Sequence, residues 1–94
     1  MSDPIIRAVH VRISGLVQGV GFRAWTADEA RRRQLSGWVR NLASGEVEAL
    51  FSGPQAIVDD MIAACRRGPG SARVDHIAVE AAEPASGPFK VSYR

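Results

Sequence analysis

One cysteine, a single lysine and a single tyrosine occur in 94 residues, and no apolar stretch approaches the length needed to cross a membrane. A lone Cys65 excludes an intrachain disulfide and any zinc site built from cysteines, so the core must hold by packing. Without an apolar run of about 18 residues there is no candidate transmembrane helix. Nor does the chain open on the basic-then-apolar pattern of a secretory leader, so the cytoplasm is the expected compartment. The net charge is only +2, which is weak for a nucleic-acid partner and adequate for a small anion. Almost all of the basic residues are arginine, the side chain whose planar fork suits phosphate and carboxylate oxygens.

A chain of this length makes one domain with one core, here taken as residues 1–94; no repeat, linker or low-complexity tract divides it. Val9, Val11 and Ile13 alternate with His10, Arg12 and Ser14, the period of a strand with one buried face. A glycine-rich stretch follows, and Phe22 to Gln34 then reads as a helix with Phe22, Trp25, Thr26, Ala27 and Ala30 as its inner stripe. Strands are expected over Gly37 to Leu42 and Glu46 to Ser52, joined by a turn at Ala43, Ser44 and Gly45, with Val47, Ala49 and Phe51 inward. Ser52, Gly53 and Pro54 mark the start of a second helix with Ile57, Val58, Met61, Ile62 and Cys65 as its stripe. In it Asp59 and Asp60 come early, Arg66 and Arg67 late, and Gly68-Pro69 forms the stop. Ala72 to Ala82 and Phe89 to Tyr93 complete the pattern as strands. The order βαββαβ plus a short C-terminal strand is that of a ferredoxin-like α/β sandwich, an antiparallel sheet with both helices on one face.

The stretch "SGLVQGVGFRAW" places Arg23 in or near the first turn of the first helix. A cation at that positive end is unfavourable by roughly 0.3 to 1 kcal/mol. A bound anion would reverse the sign. Glycine-rich turns between a strand and a helix can aim several backbone N–H groups at one anion, and Arg23 would add its fork. Gly19 to Ala24 also fits the dinucleotide pattern, but no acidic residue ends the next strand where a ribose would need one; Asn41 stands there. The P-loop is excluded because no Gly-Lys-Ser/Thr closes the stretch.

Further along, Gly37-Trp-Val-Arg-Asn41 is followed by Gly45, Val47 and Gly53. Together with Gly15-Leu-Val-Gln-Gly-Val-Gly-Phe-Arg23 these residues resemble the two signatures of the acylphosphatase family, and the resemblance runs from about Ile5 to Tyr93. It implies a small metal-free and cofactor-free hydrolase that splits acyl phosphates into a carboxylate and inorganic phosphate. By motif position Arg23 is the phosphate-binding arginine and Asn41 holds the attacking water. Gly15, Leu16, Val17, Gln18, Gly19, Val20, Gly21 and Phe22 form the phosphate cradle. The resemblance also implies a monomer acting on a small molecule, with neither nucleic acid nor membrane as partner. The "VGFR" spelling occurs as well in the acylphosphatase-like domain of the carbamoyltransferase that matures hydrogenases. The rival reading is an idle anion-binding or regulatory domain of the same fold.

The chemistry agrees with the motifs. A carboxylate leaving group, whose conjugate acid has a pKa near about 4, departs without a general acid. Phosphoryl transfer then needs positioning and charge stabilisation more than proton transfer. Other polar residues are expected to be structural. Arg31, Arg32 and Arg33 read as a solvated helix face paired with Asp28 and Glu29, Glu46 and Glu48 as the solvent side of a strand, and Trp38 and Arg40 as sheet support. His10 and His76 carry no assigned chemistry.

Overall fold

Alternation becomes β1 (Ile6–Leu16), in which Val9, Val11 and Ile13 are buried. The computed structural model describes residues 4–93, so residues 1–3 and 94 of the expected domain lie outside the described part. It continues with α1 (Phe22–Arg32), β2 (Ser36–Asn41), β3 (Val47–Pro54), α2 (Gln55–Arg67), β4 (Arg73–Ala81) and β5 (Lys90–Val91). The sheet order is β4-β1-β3-β2-β5. The first four strands pair antiparallel throughout, as the ferredoxin-like pattern requires, whereas β5 joins β2 in parallel and makes the sheet mixed.

One face of the sheet carries the core. Val39, Val47, Ala49, Phe51 and Ile77 meet Phe22, Ala27 and Ala30 of α1 and Val58, Met61 and Cys65 of α2. Full burial of each large side chain in this set contributes about 1.5–3 kcal/mol. Cys65 is part of this packing, and burial pushes its thiol up to about 12, which leaves it an inert apolar group.

The strands differ from the sequence expectation by one or two residues at their ends, and two helix boundaries differ as well. The second helix does not take up Ser52, Gly53 and Pro54. β3 runs through them, Pro54 stays extended (φ −56°, ψ 135°), and the helix begins at Gln55. Asp59 and Asp60 therefore lie beyond the first turn and instead pair across elements with Arg7 of β1 and with Arg33, the residue that follows α1. The first helix ends at Arg32, two residues early, because Gln34 turns left-handed (φ 58°) and Leu35 N–H reaches back to the Ala30 carbonyl at 2.9 Å.

Residues 82–89 cross one end of the sheet from β4 to the opposite edge. Ala82 N–H donates to Ala8 O at 3.0 Å, Ser52 Oγ accepts from Ala85 N–H at 3.0 Å, and the Ser36 hydroxyl donates to Gly87 O at 2.7 Å. The strap thus steps over β1, β3 and β2 in turn. Phe89 then enters the core, stacked 5.9 Å from Phe51. Because β5 runs parallel to β2, it delivers Ser92 and Tyr93 to the end of the sheet where β1 stops, α1 starts and Asn41 closes β2.

Candidate active site at the start of the first helix

The connection from β1 to α1 is anchored at two points. Val17 is buried, and the Gln18 amide donates at 2.7 Å to both Leu42 O and Glu46 O, tying the loop to the β2–β3 hairpin. Gly21 is the residue that caps α1, in a left-handed conformation (φ 77°, ψ 15°) that most side chains resist. No side chain caps this helix and no acidic residue occupies its first turn. The N–H groups of Phe22, Arg23 and Ala24 consequently lack intrahelical partners, and the first helical bond is Trp25 N–H to Gly21 O at 2.9 Å. Such donors at the positive end of a helix are of the kind an anion binds.

A cavity of about 490 Å³ opens here, bounded by Val17, Gln18, Gly19, Gly21, Phe22 and Arg23 on the loop side and by Asn41 at the end of β2. The stretch from Gly15 to Phe22 divides. Gly15 sits at a register shift between β1 and β4, where an added Cβ would lie 2.1 Å from Arg73 O; its absence of a side chain serves strand pairing. Leu16 is exposed, and Val20 packs against the core while its carbonyl accepts the Ser71 hydroxyl at 3.3 Å. Gly15, Leu16 and Val20 therefore stand outside the cavity wall.

Arg23 lies in the first turn of α1, donates to Ser92 O at 3.4 Å and has its guanidinium carbon 4.5 Å from the Tyr93 ring centroid. Among the described residues it has no carboxylate partner, unlike Arg7, Arg32, Arg33, Arg40 and Arg73. Asn41 lies opposite. Its Oδ1 is buried and meets no donor among the described residues. Leaving a buried acceptor unpaired costs about 1–3 kcal/mol, a cost that an O–H arriving with the substrate would remove.

Asp28, Arg31, Val91 and Tyr93 also line the cavity, and no local pattern in the sequence marked them. The arginine run is not a uniform solvated face. Arg31 donates through Nε (3.2 Å) and Nη2 (3.1 Å) to Phe89 O, and Arg33 bridges Glu29 (3.0 Å) and Asp60 (2.8 Å). Arg31 and Arg32 are both exposed and Arg33 is half-buried, and the partner of Arg32 is Glu29 at 3.2 Å rather than Asp28. On the far face of the sheet Glu48 is buried rather than solvent-facing, 2.7 Å from His10 Nε2 and hydrogen-bonded by Arg40, whose guanidinium covers Trp38.

The α+β sandwich is ferredoxin-like, and one cavity at the start of its first helix brings together Arg23, without a carboxylate partner among the described residues, and the Asn41 oxygen, without a donor. The family model described as acylphosphatase matches residues 9–91, and the chain belongs to the acylphosphatase family. It is 59% identical over 71 residues to an acylphosphatase of Alcanivorax borkumensis, covering 76% of this chain and 77% of that one. An acylphosphatase structure from Coxiella burnetii superposes with a TM-score of 0.89 at 32% identity, over 98% of this chain and 100% of that chain. Full-length HypF matches at 30% identity and a TM-score of 0.87, over 97% of this chain but only 12% of that chain. The activity of this chain is that of an acylphosphatase. No helix of the described residues is long and apolar enough to cross a membrane.

Proposed function

We propose that Arg23 and the loop N–H groups bind the phosphoryl group of an acyl phosphate and that Asn41 places the attacking water, in a reaction that needs no metal. The observation that carries this reading is the pairing, across one cavity, of a guanidinium without a carboxylate and a buried Oδ1 without a donor. Asn41 Oδ1 accepts one water hydrogen and so aims the water oxygen at phosphorus. As the new P–O bond forms, the bond from phosphorus to the acyl oxygen breaks and the carboxylate leaves unprotonated. The second water proton passes to a phosphoryl oxygen, since a neutral amide cannot take it. Arg23 and the first-turn N–H groups of α1 hold the equatorial oxygens, where preorganised donors stabilise the loose transition state.

Within the same proposal the cradle is Val17, Gln18, Gly19, Gly21 and Phe22, and the protein is a single-domain cytoplasmic monomer acting on a small molecule. The low net charge of +2 and the single cysteine support that part. The deciding experiment is hydrolysis of benzoyl phosphate in excess chelator by wild type, Arg23→Ala and Asn41→Ala. Rapid turnover by wild type, lost in both variants, is expected. Full activity in Asn41→Ala, or wild-type activity abolished by chelator, would overturn the assignment.

A further inference from the structure

The cavity is longer than a phosphoryl group requires. Beyond Arg23 its wall follows α1 through Ala24, Ala27 and Asp28 to Arg31, with Val91 and Tyr93 facing them. The two arginines stand eight positions apart, about 12 Å of helical rise, and both line the cavity. The Arg31 guanidinium is docked in the same manner as that of Arg23. Both are held by main-chain carbonyls of the last segment, Phe89 O and Ser92 O, and neither meets a carboxylate among the described residues. Carbonyls orient a guanidinium without neutralising it, so Arg31 presents a directed positive charge to the far end of the cavity. Asp28, exposed and without an ion pair among the described residues, supplies a negative charge beside it.

We infer that the far end of this cavity reads a dipolar head group, so that the preferred substrate is the acyl phosphate of an amino-dicarboxylic acid. Its α-carboxylate meets Arg31 and its α-ammonium meets Asp28, while the phosphoryl group lies at Arg23. This rests on the acyl phosphate reading above and narrows it. Charge balance separates the alternatives. The wall holds two cations and one anion, and the phosphoryl group already brings two negative charges near neutral pH. An acyl part with a second carboxylate alone would set that carboxylate against Asp28 as well as toward Arg31. An uncharged alkyl chain would leave both groups unanswered. A zwitterionic end satisfies the pair, and Ala24 and Ala27 leave room for the short carbon chain between.

The test compares kcat/KM for three probes of matched length: butyryl phosphate, succinyl phosphate and β-aspartyl phosphate. Wild type is expected to prefer β-aspartyl phosphate over butyryl phosphate by about tenfold or more, in line with the usual strength of charge-assisted contacts. Asp28→Asn should lower the aspartyl-to-succinyl ratio by about fivefold or more, and Arg31→Gln should lower the aspartyl-to-butyryl ratio to near one. Asp28 is exposed and unpaired, so its variant keeps the test open even if Arg31→Gln loosens the contact with Phe89 and slows every substrate alike. Equal wild-type kcat/KM for the three probes, or ratios unchanged in both variants, would overturn the inference while leaving acyl phosphate hydrolysis intact. Failure to hydrolyse any of the three would instead overturn the reading on which it rests.

Discussion

The guanidinium carbon of Arg23 lies 4.5 Å from the centroid of the Tyr93 ring, although 70 positions separate the two residues and Tyr93 is 79% exposed. The ring covers one face of the guanidinium and the Ser92 carbonyl holds its edge, so the last described residues position the arginine that the first loop presents. A cation–π contact at an exposed site contributes about 0.5–1 kcal/mol. Tyr93→Ala should therefore raise KM for an acyl phosphate about two- to fivefold with kcat little changed, and Tyr93→Phe should match wild type. Steady-state kinetics of the two variants checks this.

Phosphate binding separates the roles of Arg23 and Asn41. A ligand at ten times its Kd stabilises the folded state by about 1.4 kcal/mol. Inorganic phosphate should raise the Tm of wild type and of Asn41→Ala alike, while Arg23→Ala should show no rise. Thermal unfolding with and without phosphate reads this directly, and an Asn41→Ala protein that phosphate fails to protect would contradict the division of roles.

Gln18 reaches two carbonyls of the hairpin at 2.7 Å each, and both carbonyls also accept hydrogen bonds within the hairpin, Leu42 O from Gly45 and Glu46 O from Leu42. Removing the amide should cost only about 1 kcal/mol of stability, because those carbonyls keep a partner. Its effect on catalysis should be larger, since a loop displaced by about 1 Å can cost about 100-fold in rate. Gln18→Ala is thus expected to lower kcat/KM by at least tenfold with a small change in Tm.

Glu48 gives the protein an acid-sensitive element far from the cavity. Burial alone raises its pKa, but the hydrogen bonds and charges of Arg40 and His10 outweigh this and hold it below the ordinary carboxylate value. The unfolded chain therefore takes up this proton first as pH falls. The stabilisation from Glu48 is fully present above about pH 4.5 and is lost as pH drops through the lower folded value. Glu48→Gln should reduce stability at pH 7 by about 1–3 kcal/mol and should flatten the loss of stability below pH 4.5. Urea unfolding at pH 7, 4.5 and 3.5 measures both effects.

Much of this protein was legible in its sequence because the relevant physics is local. Alternation placed Val9, Val11, Ile13, Val47, Ala49 and Phe51 on one face, and all are buried. The glycine-rich turn ahead of Phe22 and the position of Arg23 at an uncapped helix start also followed from neighbouring residues. So did the turn at Ala43 to Gly45, closed by Leu42 N–H to Glu46 O at 2.8 Å. The two signature stretches named the family before the cavity brought Arg23 and Asn41 together.

Tertiary structure alone decided which polar positions are covered and by what. Periodicity correctly put Glu48 on the face away from the helices, but its burial comes from His10 and Arg40 on the flanking strands. Asp59 and Asp60 read as dipole partners of their own helix, yet the extended Pro54 shifts the helix start and leaves them to Arg7 and Arg33. The strap over residues 82–89 has no periodic signal, and its course through Ser52 and Ser36 carries Tyr93 to the cavity and Phe89 O to Arg31. The chain's local pattern determines the face on which a side chain lies. What meets it there is set by other elements, 38 positions away for His10 against Glu48 and 69 for Ser92 against Arg23, brought close only when the whole sheet has formed.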